Sequence, residues 1–336
     1  MRAARATLKD VAAHAGVSHQ TVSNVLNDHP SIRPEMRERV LHSVRALDYQ
    51  PNHAAKALRE ARVTTVCCAF YGHRADEIAD PYRNLMLAAF VAEANLHGYS
   101  VTVAFLNEDQ PQSFTQLRHN YRQRLFDGAV LVGPTVPANR VEEFMGWGLG
   151  TVLLDHELPG NGVTSVSADY AGGMREMVRH HAAQGRRRLA LILPEDDVGS
   201  STFLRRQGFL EEVARLGLTG CLLPGDWSYA SGERAMRQVW AGDFRPDALL
   251  GGNDRMAAGA LRAAYELGLQ VPRALAISGY DDFDVALYTT PWLTTIHVPH
   301  ADMARASVRA LLSQLGQQRR EDPRCFPVSL VVRESA

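Results

Sequence analysis

Apolar residues near the start of the chain recur every three or four positions, the spacing that lines one face of a helix. Leu8, Val11, Ala12 and Ala15 make the first such stripe, and Gly16 ends it. Ser18 is placed to cap a second helix with Val22, Val25 and Leu26 inward, leaving His19, Gln20, Ser23 and Asn24 facing out. Ser31 and the run Arg33-Pro34-Glu35 mark a third start, with Val40, Val44 and Leu47 on the inner face. Three short helices over residues 8–47 are therefore predicted, and the first two, joined only by Ala15-Gly16-Val17, have the form of a helix-turn-helix. Pro51 stops the third helix, because the residue before a proline is pushed out of helical geometry. The segment HAAKAL is long enough for one or two helical turns, too few to be stable unless something packs on them. Residues 1–50 thus read as a helical head and 51–62 as a hinge helix or linker.

From Val63 the pattern changes. Short apolar runs (TTVCCAF, VTVAFL, GAVLVG, TVLLD) alternate with helical periods near 81–97, 112–124 and 138–146. A second series runs SVSAD, RLALIL, CLLPG, ALLGG and ALAISGYDD, with helices over 170–183, 203–216, 230–241 and 254–266. LTTIHV, one more helix and PVSLVVR close the chain. Strands alternating with helices of this length argue for parallel sheets. The two series predict two lobes, residues 63–161 with 292–324 and residues 162–291 with 325–336. A cleft is expected between them, at the C-terminal ends of the strands.

The chain of 336 residues exceeds one ordinary domain, and its 46% apolar content permits full cores. Net charge is −1, but the first 62 residues hold ten Lys or Arg against six Asp or Glu, so a basic head sits on an acidic body. Four cysteines without ligand spacing suit reduced thiols in a cytoplasmic protein. No apolar run follows Arg2 and Arg5, so no signal peptide is expected, and no stretch reaches the length of a membrane span. The glycine-rich phosphate loops, HExxH and GxSxG are all absent, so neither catalysis, a metal nor a cofactor is expected. A non-DNA small-molecule-binding protein remains the alternative to a DNA-binding regulator, and salt-dependent DNA binding separates them.

The head segment TLKDVAAHAGVSHQTVSNVLN and the body segments GDWSYASGERAM, NDRMAAGALRAAYELGLQVP, ISGYDDFDVA, PWLTTIHVP and PVSLVVRES resemble the LacI/GalR family of bacterial transcription regulators over the whole chain. The resemblance implies an all-helical helix-turn-helix head joined by a hinge helix to a two-lobed α/β sensor of the periplasmic-binding-protein kind. It implies a repressor that binds a palindromic operator in double-stranded DNA as a homodimer. A small-molecule effector between the lobes would release it, with co-repression as the alternative.

Base reading is implied at His19, Gln20 and Asn24, where amide side chains suit adenine. Many members carry Arg where Asn24 stands, so a guanine contact is not expected there. Thr21 and Ser23 are short enough to reach phosphate, and Lys9, Asn27, His29, Ser31 and Arg33 are candidates to position the head. Leu8, Ser18, Asn52, Ala55 and Lys56 complete the candidate DNA surface. Leu58 matches the family's minor-groove wedge, although taken alone it reads as an apolar contact to its own body.

In the body, Asp155, Arg205, Trp227, Asn253 and Asp281 all fall at strand C-terminal edges or in the loops and helix starts that follow. The resemblance carries effector contact onto these five, with Tyr71 and Tyr82 on the first lobe's side and Phe203 two residues before Arg205. The structural alternatives are a helix cap for Asn253 or Asp254, a core role for Trp227 and a turn role for Asp282. His297, Val298 and His300 stand where the resemblance implies a pocket wall, a lining that argues against an ordinary hexose and leaves nucleobase or acid effectors open.

Overall fold

The computed structural model describes residues 6–26, 29, 30, 32–49, 63–72, 80–133, 136–158, 162–194, 200–316 and 324–336. Contacts fall into two compact units, Met1–Val63 and Thr64–Ala336.

The first unit has helices α1 (Leu8–Ala15), α2 (His19–Leu26) and α3 (Pro34–Ala46). Thr7 and Asp10 form a reciprocal cap on α1: each side chain takes the other residue's backbone N–H, at 3.3 and 2.7 Å. Gly16, with φ of 62°, ends α1 in the left-handed conformation that a side chain would resist. Ser18 Oγ then accepts the Thr21 N–H at 3.1 Å and opens α2. The core is Val11, Ala12, Ala15, Val22, Val25, Val40 and Tyr49, with Leu26, Val44 and Leu47 partly buried around it. Tyr49, just beyond α3, is 8% exposed and belongs to this core.

The second unit is doubly wound. Among the described residues its first sheet has six parallel strands, β1 (Thr65–Tyr71), β2 (Ser100–Leu106), β3 (Gly128–Val132), β4 (Gly150–Leu154), β5 (Thr164–Ala168) and β11 (Cys325–Phe326). They lie in the order β11-β5-β4-β3-β1-β2. Helices α4 (Pro81–Leu96), α5 (Gln112–Arg122), α6 (Ala138–Gly146) and α11 (His300–Gln314) cover it. The second sheet, in the order β7-β6-β8-β9, joins β6 (Arg188–Leu193), β7 (Thr219–Pro224), β8 (Ala248–Gly251) and β9 (Ala276–Ser278). Its helices are α7 (Tyr170–Ala183), α8 (Ser201–Arg215), α9 (Tyr229–Ala241) and α10 (Asp254–Glu266). Helices α9 and α10 meet without side chains between them: a methyl on Gly259 would lie 1.9 Å from the Tyr229 carbonyl oxygen, and one on Gly232 2.0 Å from that of Met256.

The lobe boundaries differ from those expected. SVSA, assigned to the second lobe, is β5 of the first sheet, paired in parallel with β4. Cys325 and Phe326, also assigned to the second lobe, pair with Ser167 and Ala168 of β5. Conversely, residues 292–297, assigned to the first lobe, run beside β9, where Gly279 and Asp281 donate to the carbonyls of Thr294 and Ile296. Here β10 (Thr295–His297) forms an antiparallel pair with β12 (Ser329–Val331). A strand that crosses from lobe to lobe has the same alternation as one that stays, so hydrophobic pattern alone cannot assign it.

Candidate functional site

On the head, α2 presents His19 and Gln20 as exposed side chains and Asn24 as a half-buried one. Gln20 Nε2 donates to Asn24 Oδ1 at 3.0 Å, one turn apart, so the two amides form one polar strip. Lys9 and His29 are exposed, Leu8 is half-buried against the core, and Ser18 and Thr21 share a hydroxyl contact of 2.8 Å. Ser23 is a correction. It is only 5% exposed and turns inward with Val22 and Val25, because α2 packs on both α1 and α3 and its buried arc is wide. Asn27, Ser31, Asn52, Ala55, Lys56 and Leu58 lie outside the described residues.

In the body, side chains from both lobes converge on one network. Arg205, in the first turns of α8, is 3% exposed and donates from Nη2 to Asp281 Oδ1 at 2.8 Å. Its guanidinium lies against the rings of Tyr170 and Tyr280, 4.4 and 4.5 Å from their centroids, and 5.4 Å from that of Trp227. Asp155, at the end of β4, accepts from Tyr82 Oη at 3.0 Å and from Tyr170 Oη. Asn253 caps α10 by accepting the Met256 N–H at 2.9 Å and donates to the Trp227 carbonyl at 3.2 Å. The cap and site readings of Asn253 are thus compatible. His300, the first residue of α11, is 1% exposed and has Nε2 3.3 Å from Asp281 Oδ1. Its ring stacks on Phe283 and meets Tyr82 edge-on.

Two physical features set this network apart. The first is charge. Burial opposes ionisation of Arg205, yet Asp281, Tyr170, Tyr280 and Asp155 together hold its pKa above the ordinary value. Burial, with Asp155 adding to it, pushes the hydroxyls of Tyr82 and Tyr170 well above the usual tyrosine range, so both remain donors to Asp155. The second is backbone strain. Among the described residues, non-glycine left-handed backbone occurs at Asp48, Arg124, Asp155, Trp227, Asp281 and Asp282. Three of these are site residues, and each such conformation costs about 1–3 kcal/mol unless its surroundings impose it. Asp254 imposes part of it: 0% exposed, it accepts from Thr295 Oγ1 at 2.6 Å and from the Phe283 N–H at 2.7 Å, pinning the turn that carries Asp281.

The structure does not bring every expected residue into this network. Tyr71 Oη donates to Glu108 at 2.5 Å and its ring packs on Phe114, in a cluster with Arg140. Phe203 is half-buried beside the Arg206 guanidinium, 5.6 Å from its ring centroid. Tyr170 and Tyr280 escaped sequence reasoning, because an aromatic at a strand or helix end reads as core. Their position beside strand C-terminal edges, the rule that found Asp155 and Asp281, is the signal that marks them. Asp282, expected to hold its turn, instead accepts from Arg333 at 2.6 Å and lies 3.1 Å from His297 Nδ1, both on other segments. Among the described residues no helix is long and apolar enough to cross a membrane, and no cluster of His, Cys, Asp or Glu side chains could hold a metal ion.

Comparison with known proteins agrees with this geometry. The profile of bacterial regulatory proteins of the lacI family matches residues 7–52, and that of a periplasmic binding protein-like domain matches residues 178–336. The chain is 31% identical to the HTH-type transcriptional repressor PurR of Erwinia tasmaniensis, covering 94% of this chain and 92% of the relative. It is 29% identical to the HTH-type transcriptional regulator GalS of Salmonella typhimurium, covering 98% and 96%. Among solved structures, the lac repressor dimer bound to operator and the anti-inducer ONPF superposes with a TM-score of 0.86, at 28% identity over 99% of both chains. The CelR–cellobiose complex superposes with a TM-score of 0.75, at 27% identity over 99% of this chain and all of the other. The chain therefore belongs to the lacI family of bacterial regulatory proteins, and it is a sequence-specific DNA-binding transcription regulator with an effector-binding body, not an enzyme.

Proposed function

We propose that the protein is a cytoplasmic repressor that binds a palindromic operator as a homodimer and is released by a small molecule held between its lobes. The observation that carries this reading is the buried network in which Tyr82, Asp155 and His300 of the first lobe meet Tyr170, Arg205 and Asp281 of the second. A ligand that enters such a network must rearrange contacts between the lobes, which is how binding in the body changes the body's shape. His19, Gln20 and Asn24 then read base edges, with Lys9, Thr21, His29 and Arg33 toward the phosphates and Leu8 and Ser18 completing the DNA surface. The linker residues Ala55, Lys56 and Leu58 contact the minor groove, Leu58 as an apolar wedge, and Asn52 belongs to the same DNA surface.

The homodimer reading is supported by large apolar side chains left in water. On α4, Leu85 and Leu96 are 40% and 80% exposed; on the second lobe, Tyr265 and Tyr288 are 80% and 85% exposed. Two heads related by a two-fold axis match the two halves of a palindrome, and the solved lac repressor structure is a dimer on its operator.

The test is operator selection from random DNA with the full chain, followed by anisotropy titration at several salt concentrations with and without candidate effectors. A palindromic consensus, a steep loss of affinity with salt and release by one ligand class are the expected results. A ligand that tightens DNA binding reverses the sign to co-repression. A consensus with a single half-site removes the homodimer.

A further inference from the structure

The two amides on the outer face of α2 do not stand independently. Gln20 Nε2 donates to Asn24 Oδ1 at 3.0 Å, one helical turn further on. A primary amide carries two N–H groups and two oxygen lone pairs. The bond therefore leaves Asn24 with both N–H groups and one lone pair, and fixes the side on which each lies. Asn24 is held from elsewhere too. It is half-buried, its neighbours Ser23 and Val25 are buried, and its carbonyl accepts the His29 N–H at 3.0 Å. The reverse bond, Asn24 donating to Gln20, is disfavoured by the helix itself. As it stands, the linked amides have their negative end toward the positive N-terminus of α2 and their positive end, the Asn24 NH2, toward its C-terminus. Reversal aligns them with the helix dipole and loses that attraction.

Resting on the reading of α2 as the base-reading helix, we propose that Gln20 acts through Asn24, as a positioning residue that makes the two amides select one adenine together. The lone pair left on Asn24 Oδ1 accepts from adenine N6, and an Asn24 N–H donates to N7. With Gln20 in place these two groups keep a fixed order. Turned over, Asn24 sets an N–H against the exocyclic group and its oxygen against N7. Guanine, whose exocyclic group is a carbonyl, suits the first of these contacts, and adenine suits neither. In water an exposed pair one turn apart favours one order by only about twofold. In the groove, with water displaced, the wrong order leaves a hydrogen bond unmade, and the preference rises to about tenfold. Gln20 thus adds to specificity without a base of its own.

The experiment is operator selection from randomised DNA with the full chain and its variants. Asn24→Ala identifies the operator position that Asn24 reads, by loss of the base preference there. The Gln20 variants are then scored by the adenine-to-guanine ratio at that position, which a uniform change in affinity does not move. Gln20→Met, of similar length but without an amide, should lower the ratio about tenfold. Gln20→Lys can only donate, so it should hold the same order and keep the ratio near that of the unaltered protein. Gln20→Glu can only accept, so it should take an Asn24 N–H, turn the amide over and bring the ratio below that of Gln20→Met. Direct reading of a base by residue 20 predicts the opposite, with Lys favouring guanine and Glu favouring bases that bear an amino group. That opposite order overturns the proposal, as does an unchanged ratio in Gln20→Met, or a base other than adenine at this position in the unaltered protein. Should Gln20→Met not fold, the Lys and Glu variants decide it. If Asn24→Ala shifts no position, Asn24 reads no base, and that part of the functional reading falls with the proposal. If it shifts one and the Gln20 variants do not move the ratio, base reading by Asn24 stands and only the proposal falls.

Discussion

The buried ion pair between Arg205 and Asp281 can be separated experimentally into a structural and a ligand-binding contribution. The perturbation is Asp281→Asn, which removes the charge while keeping an acceptor at Oδ1. Asparagine also tolerates the left-handed backbone at this position, where φ is 101°. At 2.8 Å the direct attraction is about 6 kcal/mol for an effective dielectric near 20. Desolvation of both groups, 3% and 7% exposed, consumes much of that in the native protein. Removing one partner leaves Arg205 buried and uncompensated, which typically costs about 3–5 kcal/mol. The amide acceptor and the two tyrosine faces under the guanidinium place the expected loss at the lower end, about 3 kcal/mol. Adding Arg205→Met should then restore part of this, because the stranded charge is gone. The assay is urea unfolding followed by tryptophan fluorescence. Trp147, Trp227, Trp240 and Trp292 are the protein's four tryptophans and all belong to the second unit, so the signal reports the body and not the head. A loss below about 1 kcal/mol for the single variant, or strict additivity in the double variant, would refute the claim that the pair is buried and coupled. Neither variant should respond to effector, whatever its stability.

Three further outcomes follow from the structure. Gly259→Ala should destabilise the body by about 3 kcal/mol in the same fluorescence assay, because the added methyl meets backbone and not a movable side chain; an unchanged midpoint would mean that α9 and α10 are further apart than described. Glu212, 1% exposed, has its pKa lowered to about 2, chiefly by the hydrogen bond from Arg215 and, after burial has opposed it, by Arg179. Its folded pKa lies below its unfolded one, so it stabilises the protein above about pH 4.5, and that contribution is lost as pH falls toward 2. Glu212→Gln should therefore flatten the fall of stability across that window by about 1 kcal/mol, given how exposed both arginines are, and an unaltered acid limb would remove the carboxylate from this role. Asn24→Arg should change the base preferred at one operator position while leaving affinity for random DNA nearly constant; a uniform change across sequences would make Asn24 a phosphate contact.

The head was legible almost residue by residue, because local physics dominates short helices. Thr7, Gly16, Ser18 and Pro34 sit where capping chemistry requires them, and the apolar stripes are the core. Ser23 misled for the opposite reason. Its size and polarity suit the surface, but a helix held on two sides buries small polar residues as readily as apolar ones. In the body, helix bounds followed the periodicity closely, whereas the membership of β5, β10 and β11 did not, since pairing partners are set by where the chain crosses between the lobes. Asp155, Arg205, Trp227, Asn253 and Asp281 are singled out by their place at strand ends, where open sheets bind ligands, and the fold brings them close together. Tyr170 and Tyr280 were missed because only the fold brings two aromatic faces onto one guanidinium, 76 positions being the separation of Arg205 from even its ionic partner.

The chain passes from one lobe to the other three times: after β5, between β10 and α11, and between β11 and β12. These passages lie side by side, with Asp169 donating to the Phe326 carbonyl at 2.9 Å and His297 opposite Ser329. Three parallel cords sewn together behave like the spine of a book. Opening or shutting the covers bends every cord by a similar small amount, while sliding or twisting one cover against the other would stretch one cord and slacken its neighbour. Bending about this spine is thereby the motion of one lobe against the other that strains the three covalent connections least.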